Sequence, residues 1–414
     1  MKPTVKHVIA LLGRNVFFLF FILAFLAHAI PGLAFFFIAG RTDYARYPAL
    51  LQHTVLTLSL IGLFRLLSKR TDSQAPNPAK LWGWSACAVI GLIIAIELYV
   101  NPMGVYPWNH SPVYLAGGAR AIKLHSYNHL RAKPEIVVMG SSRAEQLESD
   151  YIQQRFGKRA FNWSVEGSGP VDTLTTARYL LKENARNLDV LVVEISHILV
   201  SPAWRERTPI GLIPYLPDYR MALELMRTQL DYLFTFQALV ESTFSYLYVY
   251  GKSPGSFYPD GTARIEMSED ESTYRKLIHD TSAGIDGQLR CIQLYNDGQG
   301  ALDLLVKLAD QHKVGIVFYI SPMNADFLDT LDLTDPAYQT CSNLIGTYMA
   351  GISQNHPNIF YRNLTADATL SNLRRRGFQD IEHFNKHLAR QLIDTIAPDI
   401  TNAIRWAESQ RKQG

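Results

Sequence analysis

The feature that most constrains this chain is the uneven distribution of its apolar residues. Residues 1 to 100 are largely apolar, while the remainder alternates apolar and polar as a water-exposed domain does. The first run, from about Val16 to Ala39, is nearly unbroken and matches the roughly twenty residues needed to cross a bilayer. Pro31 falls inside it and is expected to kink or divide it. A second run, Leu50 to Leu67, carries Gln52, His53 and Arg65 and is the weakest. The third, Leu81 to Val100, has Trp82 and Trp84 at its expected interface and Glu97 near its end. The sequence thus predicts about three transmembrane helices in 1–100, a linker in 101–134, and an aqueous domain from 135 onward.

Basic residues orient these spans. Lys2, Lys6 and Arg14 precede the first run, and Lys69, Arg70 and Lys80 lie between the second and third. Both segments are expected on the cytoplasmic side; three spans put the domain outside the cytoplasmic membrane, whereas two crossings, without the second run, would leave it inside. Arg41 and Arg46, in what would be an external loop, run against this orientation. The formal charge is +3, with no long basic run interleaved with aromatics, so nucleic acid is not an expected partner. Cys291 and Cys341 are the two cysteines of the aqueous part. They are read either as a pair in an oxidising compartment or as two unrelated buried thiols.

The aqueous part has an α/β rhythm. Glu135–Met139, Ala160–Asn162, Leu188–Ile195, Val314–Ile320 and Asn358–Asn363 read as strands. The continuous apolar character of Leu188–Ile195 suits a parallel strand covered on both faces. Helical patterns follow through Leu147, Tyr151, Ile152 and Phe156, over Val171–Asn184, Ala301–His312 and Tyr338–Gln354, and finally over Lys386–Ile396 before a polar tail. This order predicts a layered α/β domain. Residues from about 201 to 272 break the rhythm with prolines and a dense set of Tyr and Phe. They read as a helical insertion, its aromatics either packed inward or forming a lid over substrate.

Chemistry concentrates in two places. The apolar strand Glu135-Ile-Val-Val-Met ends in Gly140-Ser-Ser-Arg143, a small-residue turn opening a helix. Such turns at strand carboxyl ends are where α/β proteins place their chemistry. Ser142 is a candidate nucleophile; alternatively Ser141 or Ser142 caps the helix. Near the last helix stands Asp380-Ile-Glu-His383. An Asp three residues before a His can hold the imidazole by Nδ1 and leave Nε2 to take a serine proton. Other charged positions have plainer readings. His125 and His129, four apart, lack a third ligand and read as packed or solvent-facing rather than metal-binding. Arg374-Arg-Arg376 reads as a solvated turn or as a contact for an anionic substrate or headgroup.

The ordered set resembles the SGNH (GDSL-like) hydrolase superfamily. Gly140-Ser141-Ser142 is similar to that family's first block, with Ser141 in place of its Asp. Asn162-Trp-Ser-Val-Glu-Gly167 matches the first and last positions of the second block. Asp380 and His383 match the fifth. The third block, Gly-x-Asn, has no counterpart; Val193-Glu-Ile-Ser-His197 stands there, with Ser196 as a substitute candidate. The resemblance covers about residues 135–400, apart from the insertion. It implies a three-layer α/β/α domain with a parallel sheet and a Ser142–His383–Asp380 triad. It also implies an oxyanion site from the N–H groups of Ser142 and Gly167, with Ser196 as a weaker third donor. Asn162 and Asn324 are candidate substrate contacts, and neither cofactor nor metal is implied. The Ser141 variant and the apolar N-terminal region look like the DltD- and AlgJ-type proteins of cell-envelope polymer acylation. The implied activity is that of an esterase or O-acyltransferase on acyl, most simply acetyl, esters of an extracytoplasmic glycan, with a membrane-bound O-acyltransferase as a partner. The missing third-block Asn keeps a non-catalytic glycan-binding scaffold as the alternative.

Overall fold

Five short apolar runs dictate the centre of the molecule. In a computed structural model they form β1 (Ile136–Met139), β2 (Ala160–Asn162), β3 (Val190–Ile195), β4 (Gly315–Ile320) and β5 (Ile359–Asn363). The structure describes residues 119–195, 210–216, 219, 222–223, 258, 260–263, 287–329, 336–378 and 383–413. The three apolar N-terminal runs and the aromatic stretch Tyr232 to Tyr250 lie outside the described residues. Among the described residues no helix is long and apolar enough to cross a membrane.

The strands pair in the order β2-β1-β3-β4-β5, all parallel. Every residue of β1, β3 and β4 is buried, as expected of strands covered on both faces. Alternation sorts their side chains into two cores. Val137, Met139, Leu191, Val193, Ile316 and Phe318 face one side, packed with residues of α1 (Ala119–Asn128), α3 (Pro170–Asn184), α4 (Gly287–His312) and α6 (Pro336–Asn355). Ile136, Val138, Val190, Val192, Val317 and Tyr319 face the other, packed with α2 (Ser149–Phe156), α7 (Ala368–Ser371) and α8 (Lys386–Gln413). Helices on both faces of a parallel sheet make this an α/β/α sandwich. A short helix, α5 (Ala325–Leu328), follows β4.

Three elements differ from the sequence expectation. The segment read as an irregular linker contains α1, whose Lys123 and Tyr127 are fully buried. The partners of its buried Arg120 and Lys123 lie more than forty residues away, out of reach of local pattern. The helix expected after Ser142 is instead a 3-10 turn, Ser142–Gln146, followed by a break and then α2. The buried Asn162 side chain takes the Ala144 and Leu147 carbonyls, each at 2.8 Å, and this replaces a helical continuation. Finally, α8 runs through Pro398 to Gln413 rather than ending near Ile396. An interior proline costs about 3 kcal/mol. The apolar stripe nevertheless continues past it, with Ile400, Ala403, Ile404 and Ala407 buried. Packing along that stripe offsets the lost hydrogen bond.

Little of the 201–272 insertion falls within the described residues. Its 3-10 turn Ile210–Tyr215 packs on α3, with the Tyr215 ring edge-on to Tyr179 at 5.3 Å. Its residues 260–263 lie along the sheet edge, where the Asn162 N–H donates to the Asp260 carbonyl at 2.9 Å. That contact covers an edge strand that would otherwise present unpaired groups.

Candidate active site

The chain leaves β1 toward β2 on one side of the sheet and returns to β3 on the other. Strand order therefore reverses beside β1, and the crevice beyond its carboxyl end is the expected binding place in such sheets. The Gly140–Arg143 turn occupies that position. A side chain at residue 140 would place its Cβ 2.6 Å from the Cβ of Glu194, so glycine is required by close approach to β3. The next two residues divide the two sequence readings between them. Ser141 is the N-cap of the 3-10 turn, its Oγ accepting the Arg143 N–H at 3.4 Å. Ser142 Oγ instead lies 2.7 Å from His383 Nε2, across 241 residues of sequence.

His383 is carried by a loop closed at its base. Phe378 and Phe384 form an antiparallel bridge, and both side chains are buried. The Asn385 N–H donates to the Gly377 carbonyl at 2.8 Å, and the Asn385 amide donates to the Arg376 carbonyl at 2.8 Å. Asn385 Oδ1 also accepts the Leu388 N–H, capping α8. The imidazole therefore stands two residues before the cap of α8. Asp380, expected to orient it, lies in residues 379–382, outside the described residues. Ser196 also lies outside them.

The turn around Ser142 rests on a buried carboxylate that the sequence reading did not single out. Glu194 Oε2 accepts the Ser141 N–H at 2.9 Å, and Oε1 lies 3.0 Å from Arg143 Nη2. Glu194 thus grips the residue on each side of Ser142. Both side chains of the ion pair are 1% exposed. The available signal was a lone charge in the apolar strand Val190–Ile195, beside an arginine that follows the serine directly.

The loop from β2 to α3 is tied down residue by residue. The N–H of Trp163 donates to the Val138 carbonyl at 2.7 Å, and that of Val165 to Gly140 at 2.9 Å. Ser164 N–H donates to Asn162 Oδ1, Glu166 N–H to Glu145 Oε1, and Ser168 N–H to the Val165 carbonyl. Between them, Gly167 has φ +67° and an N–H with no partner among the described residues. The Ser142 N–H, at the start of its turn, likewise has none. Two N–H groups without a partner among the described residues, one on Ser142 and one in the adjoining loop, are of the donor type an oxyanion needs.

Other expected residues have different surroundings. Asn162 is fully buried, and its amide is consumed by the Ala144, Leu147 and Ser164 backbone, so it shapes the loop and does not face a substrate. Asn324 is also fully buried, and its Oδ1 accepts the Asp326 N–H at the start of α5. Both were candidate substrate contacts; here the folded backbone takes up their amides. Arg374 pairs with Asp326 and Asp329, which occupies it within the protein. On α1, His129 Nδ1 donates to the His125 carbonyl at 2.8 Å, and the two rings lie 4.0 Å apart. Cys291 is on α4 and Cys341 on α6; their side chains lie outside the described residues.

Fold and site together define an α/β protein with a serine hydrogen-bonded to a histidine at the sheet's switch point. Compared with protein-family models the chain matches none, and comparison with curated protein sequences finds no match either.

Proposed function

We propose that this chain is a membrane-anchored serine esterase or O-acyltransferase of SGNH type. It acts on acyl, most simply acetyl, esters of an extracytoplasmic glycan or envelope polymer. The single observation carrying the reading is the 2.7 Å contact between Ser142 Oγ and His383 Nε2. A hydroxyl is a poor nucleophile at neutral pH and needs a base at this distance. Ser142 attacks the ester carbonyl while its proton passes to His383 Nε2. The tetrahedral oxyanion accepts the N–H groups of Ser142 and Gly167. Collapse expels the alcohol, which takes the proton back from His383, and leaves an acyl-Ser142 ester. Water or a sugar hydroxyl, deprotonated by His383, then attacks that ester and restores Ser142. Asp380 orients the imidazole and stabilises its cation.

The proposed setting is a multi-pass anchor in the cytoplasmic membrane, with the α/β domain on its outer, periplasmic side. A membrane-bound O-acyltransferase would supply acyl groups there. The chain's own residues suffice for the acyl-transfer step, so the reading invokes neither cofactor nor metal.

The test is covalent labelling of the purified full chain with a fluorophosphonate probe, beside Ser142→Ala and His383→Ala. Wild type is expected to label, Ser142→Ala not at all, and His383→Ala roughly 10⁴-fold more slowly or worse. No labelling of folded wild type would sink the enzyme reading in favour of a glycan-binding scaffold.

A further inference from the structure

Two buried charges on the nucleophile side have no part in the acyl-transfer steps above. Glu145 is 5% exposed and lies one 3-10 turn beyond Ser142, three residues on, where side chains of such a turn eclipse. Its Oε1 accepts the Glu166 N–H at 3.1 Å, one peptide before Gly167. Lys123, fully buried on α1, donates through Nζ to the Ser164 carbonyl in the same loop. Arg120, also on α1, approaches the Glu166 carbonyl at 3.4 Å and is anchored to Asp172 through Nε at 2.8 Å. Thus α1 takes the carbonyls on this loop, and the nucleophile turn takes an N–H.

We propose that Glu145, with Lys123 as its counter-charge, is a positioning residue that sets the Gly167 N–H relative to Ser142. The inference rests on the acyl-transfer reading for its purpose, and on hydrogen-bond geometry for its existence. One carboxylate joins the turn bearing the nucleophile to the loop bearing the unpaired N–H. The two donors therefore move as one body. Burial pushes the Glu145 carboxyl up, while Lys123 and the Glu166 N–H draw it back toward the charged form. The Glu166 charge opposes this and His383 assists it. Burial in turn lowers Lys123 to about 8, against the attraction of Glu145 and Asp260. Each charge is expensive alone in this environment, and each draws the other toward its charged form.

The experiment compares Glu145→Gln and Glu145→Ala in the full chain by two readouts. Amide hydrogen exchange of the peptide covering residues 163–169 reports the anchor, and the fluorophosphonate labelling rate reports the oxyanion site. Gln keeps an acceptor oxygen in place, whereas Ala does not. The expected result is faster exchange and roughly 100-fold slower labelling in Glu145→Ala, the usual size for a lost oxyanion donor. In Glu145→Gln, exchange protection is retained and labelling stays within about tenfold of wild type. Unchanged exchange in a folded Glu145→Ala protein would overturn the proposal, as would equal impairment of both variants. If wild type fails to label, the esterase reading falls, and the exchange data still decide whether Glu145 sets the loop.

Discussion

Two arginine–carboxylate pairs show how differently the buried and the solvent-exposed regions of this domain use charge. Arg143 and Glu194 meet beside Ser142 with side chains 1% exposed, whereas Arg155 and Asp394 meet on the outer surface of α2 and α8 with about half of each side chain in water. The contact distances are 3.0 and 3.2 Å, so geometry barely separates them. Solvent does. A buried charge stripped of its partner has no water to replace it, and an exposed one has water already. The nucleophile side is built throughout in the first way: Glu194 on Ser141 and Arg143, Asn162 on three backbone segments, Glu145 and Lys123 on the Gly167 loop. The α8 surface is built in the second, with Arg390 and Lys386 gathered around Glu148 and Tyr151 bonded to Asp394. The surroundings of Ser142 are therefore set by polar contacts that cannot rearrange cheaply, while α8, which follows the His383 loop, is seated by its apolar stripe.

The sharpest way to break this contrast is Glu194→Ala. It leaves the Arg143 guanidinium and the Ser141 N–H buried without their carboxylate and is expected to cost about 3–5 kcal/mol. In a domain of this size that is roughly a 10 °C fall in thermal midpoint. A midpoint within about 2 °C of wild type would show that the buried network is not what holds the turn.

A middle-sized effect is expected from His125 on α1, the helix that clamps the same loop. Burial, then the neighbouring His129, lowers its pKa to about 4 from the ordinary 6.5. The folded state thus holds the neutral ring while the unfolded chain takes a proton. Stability is unaffected above about pH 6.5 and falls progressively as pH drops from there to about 4. Denaturant midpoints measured across that window should slope less in His125→Asn; an identical slope would remove His125 from the account. The residue is partly exposed, so the effect should be well below that of Glu194.

The smallest expected change is at the exposed pair. Arg155→Ala should alter unfolding free energy by less than about 1 kcal/mol, and less again in high salt. A loss comparable to that of Glu194→Ala, read by the same melting experiment, would end the distinction between the buried and the exposed pair.

Legibility in the sequence followed the same divide. The five strands were readable because a strand buried on both faces must be a continuous short apolar run, a local property. Ser142 and His383 were readable because a small-residue turn after such a run, and an Asp-x-x-His before a helix, are also local patterns. Glu194, Arg143, Lys123 and Glu145 were not. Each is an ordinary charged residue in its own neighbourhood, and its partner lies from 21 to 51 residues away in the chain for Glu145 with Glu166 and Glu194 with Arg143. The helix break after Gln146 and the survival of α8 through Pro398 were hidden for a related reason: a distant asparagine and a distant sheet face override local propensity. The sequence by itself determined where the sheet lies and which serine and histidine end its strands and loops. Only the tertiary structure decided which charges are buried, because desolvation depends on neighbours that periodicity and spacing do not encode.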